Sequence, residues 1–383
     1  MRYLFVTFDG GGNLQPELAL AVRLRHRGHE VRFVGHASQR AAIERAGLAF
    51  VASRHAPDHD SAGRETSLLR DWELDEPAQM AALIRDRLAF GPAALYAADV
   101  ASALERQPAD AIAVDYWLFG ALAAAERAGV PTVVLRHTCY GQHAWWNDGL
   151  PQLNSVRTSI GLPPIRDVFE QYRHADRELV LTSRSFDFAI TEPELPANVL
   201  HVGPQLEASN GARAADRDRP LVLVSLSTSY QAQEDVLRRI VEALSTLPVD
   251  ALVTTGSAVA LGQSLPANVE AVPWVPHCEA MPRATLVITH GGLGTVMAAL
   301  AHGVPLLCLP MGRDQDGNAA RVGHLGAGLE LTRHATPTEI ADAVRTALAD
   351  PSLTRGAQRI GKEIRADITA DRAVQALEAL ART

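Results

Sequence analysis

The chain has 383 residues, 47% of them apolar and 21% charged, with a formal net charge of −8. This globular composition, at a length suited to two domains, excludes a disordered chain, a coiled-coil rod and a collagen-like fibre. The acidic balance and a pI near 6.0 argue against general binding to nucleic acid or to an anionic membrane.

In chain order, residues 3–8 read as a buried strand, and Gly10-Gly11-Gly12 as the turn that follows. Residues 16–26 have helical periodicity through Leu18, Ala21, Val22 and Arg25, and Gly28 closes that helix. A strand from 31 to 34, a helix from 39 to 46, Gly47 and a strand from 48 to 51 repeat the unit. The alternation predicts right-handed crossovers and parallel sheets covered on both faces. Residues 123–135 (AAAERAGVPTVVL) and 298–309 (AALAHGVPLLCL) share an alanine-rich helix, Gly-Val-Pro and an apolar strand. In each the glycine ends the helix and the proline holds the residue before it extended. So widely spaced a similarity predicts two doubly wound α/β domains rather than a solenoid.

Residues 207–219 are polar and aperiodic. The expected division is therefore an N-terminal domain over 1–204, a linker over 205–219 and a C-terminal domain over 220–383. The last helix, near 371–381, is placed to cross back to the N-terminal domain, which the sequence by itself does not prove. Cys139, Cys278 and Cys308 form no CxxC pair, which fits a reducing cytosol and disfavours a zinc site. The N-terminal run has neither the apolar length nor the small-residue cleavage site of a signal peptide, and no stretch is apolar for long enough to span a membrane. The expectation is a cytoplasmic protein, a monomer or homodimer, working on small molecules.

The densest chemistry lies in residues 274–328. A strand over 286–289 runs into the turn His290-Gly291-Gly292-Leu293-Gly294-Thr295 and then a helix over 296–302. Unpaired N–H groups at such a helix start suit a diphosphate, although glycine turns of this kind also serve packing alone. W-x-P-H at 274–277, H-G-G-x-G-T at 290–295, H-G-V-P at 302–305 and P-x-x-x-D-Q-x-x-N-A at 310–319 occur in order. This segment resembles the donor-binding region of family 1 nucleotide-sugar glycosyltransferases of the GT-B fold, two Rossmann-like domains with a cleft between them. The likeness extends over nearly the whole chain and is strongest to actinomycete enzymes that attach sugars to natural products.

The resemblance implies that Trp274 stacks on the nucleobase of a dTDP- or UDP-sugar. It implies that His290, Gly291, Gly292, Gly294 and Thr295 hold the diphosphate, and that Asp314 and Gln315 bind sugar hydroxyls. Ser227 falls in a loop similar to the family's second phosphate loop, where it replaces a glycine. Read as residues alone, Trp274 also fits a core aromatic and Asp314 a solvated loop carboxylate.

In the family, a histidine in G-H-x-x-P serves as the base; here Asn13 stands in that place, and a neutral amide cannot act as one. Two replacements lie at predicted strand ends, where doubly wound folds bind ligands: Asp115, the favoured base, and His137. A helix cap remains the plain alternative for Asp115. Trp72, Trp117, Trp145 and Trp146 are candidates for the acceptor wall, in or near stretches over 55–77 and 137–164 read as irregular. D-x-D triplets at 58–60 and 216–218 lie in polar loops, the first read as solvated charge, and the triplet at 314–316 overlaps the D-Q motif, so the expectation is no metal and no cofactor beyond the donor substrate. The expected activity is inverting sugar transfer to a hydrophobic aglycone. The alternatives are a nucleotide-sugar epimerase on the same fold or a catalytically inactive partner protein.

Overall fold

Short runs dominated by β-branched and aliphatic residues form the strands of two wholly parallel sheets, as both-face burial requires. The structure, a computed structural model, describes residues 1–74, 77–141, 144–187, 195–206, 218–256 and 264–380; side chains at 77, 78, 144 and 145 also lie outside the description. The chain divides into two compact units, Met1–Gln205 with Ala370–Thr383, and Leu206–Thr369. Most of the expected linker and the triplet at 216–218 fall outside the described residues.

The first unit contains β1 (Arg2–Val6), β2 (Glu30–Gly35), β3 (Ala49–Ala52), β4 (Ala111–Asp115), β5 (Thr132–Arg136), β6 (Arg177–Val180) and β7 (Val199–His201). Their order, β3-β2-β1-β4-β5-β6-β7, places the topological switch between β1 and β4. The helix Leu14–His26 follows β1 and buries Leu18, Ala21 and Leu24 on one face. The last helix, Arg372–Ala379, joins this unit: Ala373, Val374 and Leu377 enter its core, and Tyr3 Oη donates to Leu377 O at 3.1 Å.

The second unit contains β8 (Leu221–Ser225), β9 (Asp250–Thr254), β10 (Val269–Val272), β11 (Leu286–Thr289), β12 (Leu306–Cys308) and β13 (Gly328–Glu330). The order β10-β9-β8-β11-β12-β13 puts a second switch between β8 and β11. Ser225 and Thr289 are register partners there, so the loops that follow them leave the sheet side by side.

Two readings from sequence are corrected. Residues 137–164 are not irregular throughout: they hold a 3-10 turn, Ala144–Gly149, and a helix, Leu150–Ser159. Pro151 in the first turn and the buried Leu153, Val156 and Arg157 at three- and four-residue spacing form that helix. The helix expected from 296 begins at Leu293, directly after Gly292, so Gly294 and Thr295 belong to its first turn.

Candidate active site

The first cluster of polar groups sits at the β1/β4 switch. Asp115 ends β4 and is fully buried. Its Oδ2 accepts from Asn13 Nδ2 at 3.2 Å, and its Oδ1 accepts from the Trp117 N–H at 3.0 Å. His137, just beyond β5, brings Nδ1 to 2.9 Å from Asp115 Oδ2, in ion-pair range but off the line of a well-directed hydrogen bond. Its side chain keeps 16% exposure, against 0% for Asp115. His137 is thus the member of the pair that meets the outside.

Asn13 is itself spent on the fold. It precedes the helix Leu14–His26 without capping it; instead Nδ2 also donates to Phe8 O at 2.9 Å, and Oδ1 accepts from the Gly10 N–H at 3.0 Å. One turn further, Glu17 is buried against Asp115, Thr7 and Asn13.

Aromatic rings surround this cluster. Tyr116 meets His137 edge to face at 4.9 Å, and Trp117 stacks on Trp146 at 4.7 Å. Trp146 is buried at 3% exposure within the core, and Trp117 is half-buried on its outer side. Trp72 is half-buried in the 3-10 turn Asp71–Glu73. The side chain of Trp145 lies outside the described residues. Asp58 and Asp60 accept from the backbone N–H groups of His59 and Ala62, the habit of loop carboxylates.

The second cluster lies at the β8/β11 switch. His290 follows β11, and Gly291, at φ +88°, turns the chain where a Cβ would stand 3.0 Å from Gln315 O. A Cβ on Gly292 would meet the His290 ring at 2.5 Å, so both glycines are required by the turn, whereas Gly294 faces open space. Asn318 Nδ2 fastens the turn by donating to Gly291 O and to Asp314 Oδ2, both at 3.0 Å. Thr295 is buried beside it in the first turn of the helix Leu293–Ala301.

Burial pulls the His290 pKa down to about 3, with the Arg313 charge adding to the shift, while a hydrogen bond to the Ser225 backbone opposes it. The ring is therefore neutral at physiological pH. His277, paired with Ser225 Oγ at 3.2 Å, is pulled down to about 4, chiefly by burial. Ser227 and Ser229 pair through their hydroxyls at 3.0 Å, and Arg313 Nη1 donates to Ser229 Oγ at 2.8 Å. Gln315 is buried with both ends of its amide engaged, accepting from the Met311 N–H at 2.8 Å and donating to Gln231 at 3.0 Å. Asp314 is exposed, and Trp274 stands out at 63% exposure as a large apolar side chain in solvent.

Residues 238–380 match the family described as erythromycin biosynthesis protein CIII-like, C-terminal domain. The chain is 30% identical to 4'-demethylrebeccamycin synthase of Lentzea aerocolonigenes, an alignment covering 99% of each chain. The chain belongs to the GT-B natural-product glycosyltransferases. Among solved structures, the calicheamicin glycosyltransferase CalG4 superposes with a TM-score of 0.78 at 24% identity, covering 99% of this chain and 98% of that one. The glycosyltransferase VinC, solved in complex with dTDP, gives 0.73 at 22% identity over the full length of both chains.

As a glycosyltransferase of this family the protein transfers a sugar to a natural-product aglycone. Against the family pattern, Asn13 is a departure, and each of the two clusters includes one residue that the sequence did not single out, Glu17 in the first and Arg313 in the second. Glu17 reads in sequence as a first-turn helix carboxylate, a solvent position by default. Arg313 occupies an unspecified place in P-x-x-x-D-Q, which is why its sequence position carries no signal, and its backbone sits at φ +60°. Among the described residues, no group of three or more His, Cys, Asp or Glu side chains is arranged to hold a metal ion, and no helix is long and apolar enough to cross a membrane.

Proposed function

We propose that this glycosyltransferase is an inverting, metal-independent enzyme that moves a sugar from a dTDP- or UDP-sugar to a hydrophobic, aromatic or polyketide, aglycone. The observation that carries the reading is the approach of His137 to Asp115 at 2.9 Å, with Tyr116 against the imidazole. His137 is the base and Asp115 its charged partner. Asp115 cannot itself reach an acceptor, because it is fully buried; this reverses the preference drawn from sequence.

With Nδ1 turned to Asp115, the Nδ1–H tautomer leaves Nε2 to take the acceptor proton. The acceptor atom then bonds to the anomeric carbon as the bond to the diphosphate oxygen breaks, and that oxygen keeps the electron pair. Attack from the opposite face turns an α-linked donor into a β-linked product. Asp115 stabilises the imidazolium so formed, as a carboxylate beside a histidine does in other bases of this type.

The donor is assigned to the second unit. Trp274 offers an open aromatic face for the nucleobase, and neutral His290, the amides of the turn, Thr295 and the Arg313 guanidinium take the diphosphate charge. Asp314 is left to accept from sugar hydroxyls, with Gln315 shaping the loop beneath it. The half-buried Trp117 and the aromatic group behind it favour a flat, apolar acceptor.

The test is product formation with dTDP- and UDP-sugars and a panel of aromatic and macrolide aglycones in excess EDTA, with the anomeric configuration read by NMR. A β-linked product from an α-linked donor is expected. Retained configuration, or activity that returns only with magnesium or manganese, overturns the mechanism.

A further inference from the structure

Glu17 has no place in the chemistry above, yet it is buried to 1% exposure beside Asp115. Neither of its carboxyl oxygens receives a hydrogen bond. Thr7 and Asn13 stand close enough to favour its charged form, but Thr7 Oγ1 also reaches Phe8 O, and the two amide protons of Asn13 are shared among Phe8 O, Thr7 Oγ1 and Asp115. An ionised Glu17 would be a buried charge with a second carboxylate near it, and burial and that charge outweigh what Thr7 and Asn13 offer it. Two carboxyls in such contact hold one proton between them. Asp115 has the Trp117 N–H, Asn13 Nδ2 and His137 to support a negative charge, so the proton resides on Glu17.

We propose that Glu17 is a positioning residue that stays protonated and donates its carboxylic O–H to Asp115, fixing the carboxylate that orients His137. The proposal rests on His137 and Asp115 acting as base and partner. Asp115 is the one charged group bearing on Glu17 among the described residues. Behind Asp115 stand His137, and Tyr96 and Tyr172, whose phenols are raised by burial first, with the Asp115 charge a smaller contribution. Burial, followed by the Asp115 charge, holds the Glu17 carboxyl well above the ordinary carboxylate range. The pair Asn13 and Glu17 thus supplies two neutral donors to one carboxylate from a single end of the helix Leu14–His26.

The test counts the proton. Urea unfolding of the full chain and of Glu17→Gln is followed across about pH 5 to 8. A group protonated when folded and ionised when unfolded loses stability as pH rises, tenfold in the folding constant per pH unit. The folding constant of Glu17→Gln relative to wild type should therefore climb about tenfold per pH unit; a ratio that stays constant means Glu17 is ionised in the fold and overturns the proposal. Turnover separates positioning from packing: Glu17→Gln, which keeps a donor, should stay within about threefold of wild type, and Glu17→Leu should fall more than about tenfold. Equal turnover in the two variants removes the positioning role. The proton count does not depend on activity, so it stands or falls apart from the role of His137.

Discussion

Asn13 donates its side-chain amide to Asp115 Oδ2 at 3.2 Å, across 102 positions of sequence. The residue that stands where the family has its base is thus bonded to the carboxylate that His137 approaches at 2.9 Å. Replacing Asn13 by alanine leaves the Gly10 N–H with Phe8 O as its one remaining acceptor, and removes one donor from Asp115 and one from Phe8 O. The expected loss is about 1–3 kcal/mol of stability with a fall in turnover well below that of a lost base. Denaturant midpoints and kcat on one preparation check both.

On the donor side, His290→Ala and Arg313→Gln should each weaken binding of a nucleoside diphosphate by about 1.5–3 kcal/mol, with little change for the nucleoside. Calorimetric titrations with dTDP and thymidine read the difference. Equal losses for the two ligands would make these side chains structural.

Trp274 is already in solvent, so Trp274→Ala should change stability by no more than about 0.5 kcal/mol. Nucleotide affinity should drop by about 1–3 kcal/mol, the range for loss of base stacking on an aromatic ring. A large stability change with unaltered affinity would identify a packing role instead.

His36, His277 and His290 are held to about 4, 4 and 3, mainly by burial. Their folded values lie below the unfolded one, so the stability they lend is present above about pH 6.5 and is lost as pH falls toward their folded values. Each contributes a slope of about 1.4 kcal/mol per pH unit in that window, with buried Glu17 opposing one of them above its unfolded pKa. His277→Gln should flatten the acid side of the stability curve by about one such slope. Because these rings stay neutral, affinity for a nucleotide sugar should be flat between about pH 5.5 and 8.

Much of this was legible in the sequence. The alternation of strand and helix, the two Gly-Val-Pro units and the ordered motifs from Trp274 to Ala319 are local patterns, and local patterns are what periodicity and turn chemistry report. Asp115 and His137 were legible as strand-end residues because parallel sheets place their ligands there. What escaped depends on contacts between distant segments. Glu17 is buried where its helix brings it near Asp115, 98 positions away, Trp146 stacks on Trp117, and the Gln315 amide is consumed by Met311 and Gln231. The helix Leu150–Ser159 was obscured by polar residues on its outer face, and the choice between Asp115 and His137 turned on exposure, which no spacing encodes.

The most direct test of the account is single-turnover kinetics of His137→Ala and Asp115→Asn, using a donor and aglycone that the wild type accepts. Both variants should bind dTDP like the wild type. Loss of the base should slow transfer by about 10²–10⁴, with Asp115→Asn also impaired because it removes the charge that supports the imidazolium. Transfer at the wild-type rate by folded, donor-bound His137→Ala would contradict the account and leave proton removal to the acidity of the acceptor itself.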